Sequence, residues 1–252
     1  MEKSTKSHKS VVVRRILLAL AILVVLMVGA FAWYVSDYYH ADDVAQSYVN
    51  NGQAGGVTVR TLDGGELAFV PEQPVAGLIF YPGGKVEPES YAPLMERCAE
   101  LGVLCVLVKP PFNLAVLNPN AADGIPEQFP DVTRWAIGGH SLGGVMAADY
   151  LSRHEDSFDG AVLLAAYTAA DLTGFGGKVL LVTGTNDQVL NREKYEESRN
   201  LLPASVTELT VDGGNHAQFG NYGPQSGDGE ATIPASQQQQ QATAQAIRDM
   251  LA

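Results

Sequence analysis

Basic side chains are scarce once the first forty residues are passed. Lys3, Lys6, Lys9, Arg14 and Arg15 fall there against Glu2 and Asp37, which leaves 11 Lys and Arg facing 26 Asp and Glu over the rest of the chain. So acidic a surface repels phosphate backbones and excludes nucleic acid as a partner. Its plain effect is to keep the domain soluble. Cysteine is nearly absent as well, with only Cys98 and Cys105, and no Cys-x-x-Cys pair or cluster of the five histidines offers a metal site. Cys98 and Cys105 lie on either side of a short helix-turn-strand connection, so a disulfide and a pair of buried free thiols both fit. Charged residues amount to 17% against 46% hydrophobic, too little charge for disorder and enough apolar material for a core. No internal repeat is present.

What is there begins with Ile16–Val35, 20 residues without a charge and rich in Leu, Val, Ala and Ile. At 1.5 Å per residue such a helix spans a hydrocarbon core of about 30 Å. The basic tail 1–15 precedes it, and Trp33, Tyr34, Tyr38 and Tyr39 stand at the depth of the far interface. This pattern predicts a single-pass anchor at 16–35, N-terminus in the cytoplasm and the remainder outside the cell. A cleaved signal peptide is the alternative, since Ala30-Phe31-Ala32 fits a cleavage site. Residues 36–55 read as a polar stalk ending in a loop over 50–56.

From residue 56 the pattern is that of one domain. Val57–Thr61 and Glu66–Val70 flank Asp63-Gly64-Gly65, a hairpin signal. Short apolar runs then alternate with helical stretches. The runs are 76–81, 103–108, 133–137, 160–165, 178–183 and 206–211, and the helices fall near 88–101, 142–154, 190–201 and 235–251. Strands too hydrophobic to be half exposed, alternating with helices, predict an α/β fold with a mostly parallel sheet covered on both faces. The glycine-rich stretch 213–229 reads as a long ordered loop, Gln237–Gln241 as the solvated face of the last helix, and the 167–177 connection as too short for a lid.

One segment carries chemistry openly. Gly138-Gly139-His140-Ser141-Leu142-Gly143-Gly144 follows an apolar run and opens a helical stretch, so a Gly-x-Ser-x-Gly string sits at a strand-to-helix turn. A serine there needs neighbours without side chains, and the following amide, Leu142, faces developing negative charge at a helix N-terminus. A serine hydroxyl is inert without a base. Of the five histidines, His8 and His40 flank the membrane segment, His140 is inside the turn, and His154 sits at the end of the helix after it. His216, in the loop after the last run, is the candidate base. Its carboxylate partner is Asp187, just past the 178–183 run, with Asp171 as the rival. The Tyr81-Pro82-Gly83-Gly84-Lys85 turn after the 76–81 run offers a second oxyanion donor, the Gly84 amide or else that of Gly83.

These pieces, in the order Ser141, Asp187, His216, resemble the α/β-hydrolase superfamily over roughly residues 57–252. More narrowly the chain is similar to small bacterial hydrolases related to dienelactone hydrolase, many of them carried on an N-terminal membrane segment. Lys109-Pro110-Pro111-Phe112-Asn113-Leu114-Ala115 and Gly213-Gly214-Asn215-His216-Ala217-Gln218-Phe219-Gly220 carry that likeness, while Tyr81-Pro82-Gly83-Gly84 stands in place of a more usual His-Gly pair. The resemblance implies a carboxylesterase-like serine hydrolase but supplies no substrate. The lack of a cap suits a small or externally presented acyl group, and neither a cofactor nor a metal is called for. An acyltransferase using the same residues and a catalytically idle binding module are the alternatives on this fold.

Overall fold

The computed structural model describes residues 3–50, 53–54, 56–233 and 236–252. It divides into two compact units, 1–38 and 39–252. The first is the helix α1 (Lys3–Ser36), in which Val11–Ser36 is long and apolar enough to cross a membrane, with a hydropathy of 2.8 and none of it buried. A signal sequence shares that character.

The second unit is a nine-stranded sheet. Its elements in chain order are α2 (Asp43–Asn50), β1 (Gln53–Ala54), β2 (Val57–Thr61), β3 (Leu67–Pro71), β4 (Ala76–Tyr81), α3 (Ala92–Glu100), β5 (Val103–Leu107), β6 (Trp135–His140), α4 (Leu142–Ser152), β7 (Gly160–Leu164), β8 (Lys178–Gly184), α5 (Arg192–Ser198), β9 (Val206–Val211) and α6 (Ser236–Met250). The strand order is β1-β2-β3-β5-β4-β6-β7-β8-β9. Strands β1, β2 and β3 are antiparallel to their neighbours, and the six from β5 to β9 run parallel. Every residue of β4, β5, β6 and β7 is buried, which is why those strands read as continuous apolar runs rather than alternating ones.

Successive side chains nevertheless serve opposite faces. Leu78, Phe80, Cys105, Leu107, Val162 and Val182 join α3 and α6 on one side, while Ile79, Tyr81, Val106, Ile137, Leu163 and Leu181 join α4 on the other. The chain leaves β4 toward β5 on one side and returns to β6 on the other, so the crevice beyond the carboxyl ends of β4 and β6 is the topological switch point.

The structure departs from the sequence reading in several places. The stalk expected over 36–55 contains α2, which packs on α3 with Ala45 fully buried. Asp42 caps that helix, its Oδ1 accepting the Ala45 N–H at 2.8 Å, and Gln53–Ala54 pair with β2; residues 51, 52 and 55 of the expected loop lie outside the described residues. Strand β6 begins at Trp135 rather than Thr133 and runs through Gly138 and Gly139 to His140. A Cβ at Gly138 would strike Val162 of β7, so that glycine is a missing side chain within a crowded strand, whereas one at Gly139 would strike the Gly143 backbone, so Gly139 flanks the turn closely as expected. Of the two states open to the cysteines the structure has the second: Cys98 and Cys105 are buried free thiols facing the same layer, the Cys105 Sγ 3.3 Å from the Val103 carbonyl oxygen. Finally, Gln239 and Gln240 are completely buried, not solvated.

Candidate active site

Among the described residues, five other than glycine adopt positive φ: Lys85, Phe112, Asn113, Ser141 and Ala165. All five follow the carboxyl ends of β4, β5, β6 and β7, so the backbone strain of the molecule is gathered at one edge. Ser141 is the sharpest case, with φ 52 and ψ −122 between the end of β6 and the first turn of α4. Its N–H is tied to the Leu164 carbonyl at 2.9 Å. The turn works only because its neighbours lack side chains. A Cβ at Gly143 would collide with the Tyr81 and Pro82 carbonyls, and one at Gly144 would come within 2.5 Å of the Ala166 Cβ. At the first position of α4, Leu142 has an N–H with no intrahelical acceptor.

His216 enters from the loop after β9 and Asp187 from the loop after β8. The His216 Nδ1 and Asp187 Oδ2 lie 3.0 Å apart, and both side chains are buried. The other oxygen, Oδ1, accepts the N–H groups of Val189 and Leu190, each at 2.9 Å. Burial works to raise the Asp187 carboxyl. The His216 bond and charge, together with those two amides, outweigh it and hold the group below the ordinary carboxylate range. An ionised carboxylate only accepts, so the proton of the neutral imidazole sits on Nδ1 and Nε2 keeps its lone pair. Nε2 has no hydrogen-bond partner among the described residues.

Ser141 and His216 line one cavity of about 220 Å³, walled by Leu142, Val145, Ala166, Tyr167 and Leu190. A larger hollow of about 510 Å³, lined by Asn215, Gln218 and Asn221, lies on the far side of the His216 loop and includes neither Ser141 nor Asp187. The rival carboxylate is elsewhere: Asp171 is exposed and its Oδ1 accepts the Thr173 N–H and hydroxyl.

The turn after β4 is brought against the elbow. A Cβ at Gly84 would stand 2.8 Å from the Leu142 Cδ2, so Gly84 packs directly on the Leu142 side chain. Gly83 is excluded as an oxyanion donor, because its N–H is spent on the buried Tyr91 hydroxyl at 3.0 Å.

Tyr91 is a residue that sequence reasoning missed. Its hydroxyl accepts the Gly83 N–H and lies within hydrogen-bonding distance of the His140 Nδ1, at 2.8 Å, while the buried His140 Nε2 has no hydrogen-bond partner among the described residues. His140 faces the site. Its ring packs on His216 with centroids 4.5 Å apart. Burial, and then the neighbouring His216, hold its pKa well below the usual histidine value, so it stays neutral, while the His216 backbone acts weakly the other way. No signal in the sequence marks Tyr91, which reads as one more apolar position in an amphipathic stretch.

A sequence model described as the alpha/beta hydrolase family matches residues 77–240, which takes in most of the sheet and Ser141, Asp187 and His216. The chain belongs to the alpha/beta hydrolase family. Solved structures of similar shape include a predicted CIB-like hydrolase from Thermoplasma acidophilum, 17% identical, with a TM-score of 0.55 over 77% of this chain and 98% of that one. Another is the dienelactone hydrolase from Anabaena variabilis, 12% identical, with a TM-score of 0.58 over 77% of this chain and 97% of that one. At such identities the likeness concerns the fold. No curated protein matches the chain. As a hydrolase of this family, the molecule carries its strained serine and its buried histidine–aspartate pair at the carboxyl edge of the sheet, where open α/β folds hold their ligands.

Proposed function

We propose that this hydrolase cleaves a small carboxylic ester through an acyl-enzyme on Ser141. The reading is carried by one observation, the buried 3.0 Å His216–Asp187 pair whose uncommitted Nε2 belongs to a residue walling the same cavity as Ser141. Ser141 Oγ attacks the ester carbonyl carbon and its proton passes to His216 Nε2, while Asp187 stabilises the imidazolium. The amides of Leu142 and Gly84 hold the oxyanion. Collapse of the tetrahedral intermediate expels the alcohol, which takes the proton from His216. Water then attacks the acyl-enzyme by the same route, and the acid is released with Ser141 restored.

The apolar walls and the modest size of the cavity favour a short acyl group. The N-terminal helix would hold the domain at the outer face of a cell membrane, with residues 1–15 in the cytoplasm. The test is turnover of p-nitrophenyl esters of graded chain length by the full chain in detergent. Acetate and butyrate esters should be preferred to decanoate, and Ser141→Ala should remove the activity. A Ser141→Ala enzyme as active as the native one would refute the proposal.

A further inference from the structure

The glutamine run 237–241 does more than continue the last helix. Gln239 is wholly buried, and its side-chain amide grips the main chain of Asn215 at both ends. Its Oε1 accepts the Asn215 N–H at 3.1 Å, and its Nε2 donates to the Asn215 carbonyl at 2.8 Å. The fit is tight: a Cβ on Gly214 would come within 2.5 Å of the Gln239 Oε1. The Asn215 carbonyl belongs to the peptide plane whose other end is the His216 nitrogen, so holding that carbonyl fixes the direction from which the imidazole departs.

On the other side of His216 the chain is held by a second device, the Asp228 Oδ2 accepting the Ala217 N–H at 2.9 Å. The loop that carries His216 has almost no secondary structure, only a single turn over Ala217–Phe219. Side chains therefore contribute much of its order, and the fifteen-residue helix packed on the sheet supplies two of them: Gln240, whose Nε2 donates to the Gln218 carbonyl at 3.3 Å, and Gln239, which holds the peptide that leads into His216.

We propose that Gln239 is a positioning residue for His216, acting by a two-point amide clamp on the adjoining peptide. This rests on the reading of His216 as the base. A positional error of about 1 Å in a catalytic group costs on the order of 10²-fold in rate. Losing the clamp should therefore lower kcat without altering the acyl cavity, which Gln239 does not line.

The test compares Gln239→Met, Gln239→Glu, Thr243→Val and His216→Ala, each as the full chain in detergent, with p-nitrophenyl acetate as substrate. Gln239→Met fills the space with no hydrogen-bonding group. Its kcat should fall about 10- to 100-fold with KM within about twofold of native. In Gln239→Glu a protonated carboxyl can both accept and donate as the amide does. Its activity should approach native at the acid end of the profile and fall away as that carboxyl ionises, which a purely structural role does not predict. Thr243→Val removes a buried hydroxyl bond to the Gln239 carbonyl, 2.7 Å long, but leaves the clamp, and should keep its kcat.

The downfield Nδ1 proton resonance of His216, followed in histidine-labelled protein, reports the Asp187 bond whatever the substrate; it should shift or exchange faster in Gln239→Met. A native kcat and native resonance in that variant, beside an inactive His216→Ala, would overturn the clamp alone. An active His216→Ala would overturn the role of His216, and an unchanged resonance would then still refute the positioning. Should Gln239→Met fail to fold, the pH profile of Gln239→Glu decides: a profile parallel to the native one refutes the clamp.

Discussion

Asp187 remains ionised although it is buried, because three hydrogen bonds meet its two oxygens. Asp187→Asn should therefore cost on the order of 10⁴ in kcat by stabilising the wrong imidazole tautomer. Asp171→Asn, whose carboxylate is held by Thr173, should cost nothing; kinetics on the two variants side by side separate them. Ser141→Ala and His216→Ala should each remove about 10⁴- to 10⁶-fold of turnover with little change in melting temperature.

Two buried groups at this scale also set the acid stability, in opposite senses. His140 is kept neutral when folded, so its contribution is present above the unfolded value of about 6.5 and is lost as pH falls below it. Glu96, pushed up to about 7 chiefly by burial and then by Glu100, holds a proton in the fold. Its contribution is present below the unfolded carboxylate value and is lost as pH rises through 7. Melting curves of His140→Gln between pH 5 and 8 should fall less toward acid than those of the native protein; parallel curves would show that His140 does not titrate on unfolding. Tyr91→Phe leaves the buried Gly83 N–H without its acceptor and should cost about 1–3 kcal/mol in denaturant unfolding.

At the scale of elements, what the sequence disclosed and what it hid follow from two different physical signals. Apolar runs bury on both faces, so β4, β5, β7 and β8 were legible to within a residue of their ends. Strand β9 was legible too, although as the edge strand it is half exposed rather than covered on both faces as expected. The elbow was legible because a Cβ does not fit at Gly139, Gly143 or Gly144. The histidine–aspartate pair was legible from its place after the last two strands. Polar residues held by other polar residues leave no such trace. Helix α2 is short and looks like a linker until Asp42 caps it and Ala45 is buried, and Gln239 looks like one letter of a repeat until Asn215 is placed beside it. Glycines are ambiguous in the same way, since Gly138 signals a turn but serves a crowded strand, while Gly139 beside it does pack on the turn. Gly143→Ala tests that crowding. Its methyl group would meet the Tyr81 and Pro82 carbonyls and should destabilise the fold by about 1–3 kcal/mol, measured by urea unfolding, with loss of activity as the elbow shifts.

For the molecule as a whole, a helix with membrane-crossing length and composition leads into a hydrolase domain whose strained residues gather at one edge of its sheet. If the helix is an anchor, the protein taken from a membrane fraction carries its full mass; a chain beginning at Trp33 would show that a signal sequence had been removed. The most direct measurement of the account uses that same preparation. Treated with a fluorophosphonate and digested, it should yield a single adduct by mass spectrometry, on the peptide bearing Ser141. The adduct should disappear in His216→Ala and persist in Asp171→Asn. A folded native protein that takes no label, or takes it on another residue, would contradict the assignment of Ser141 and His216 as nucleophile and base.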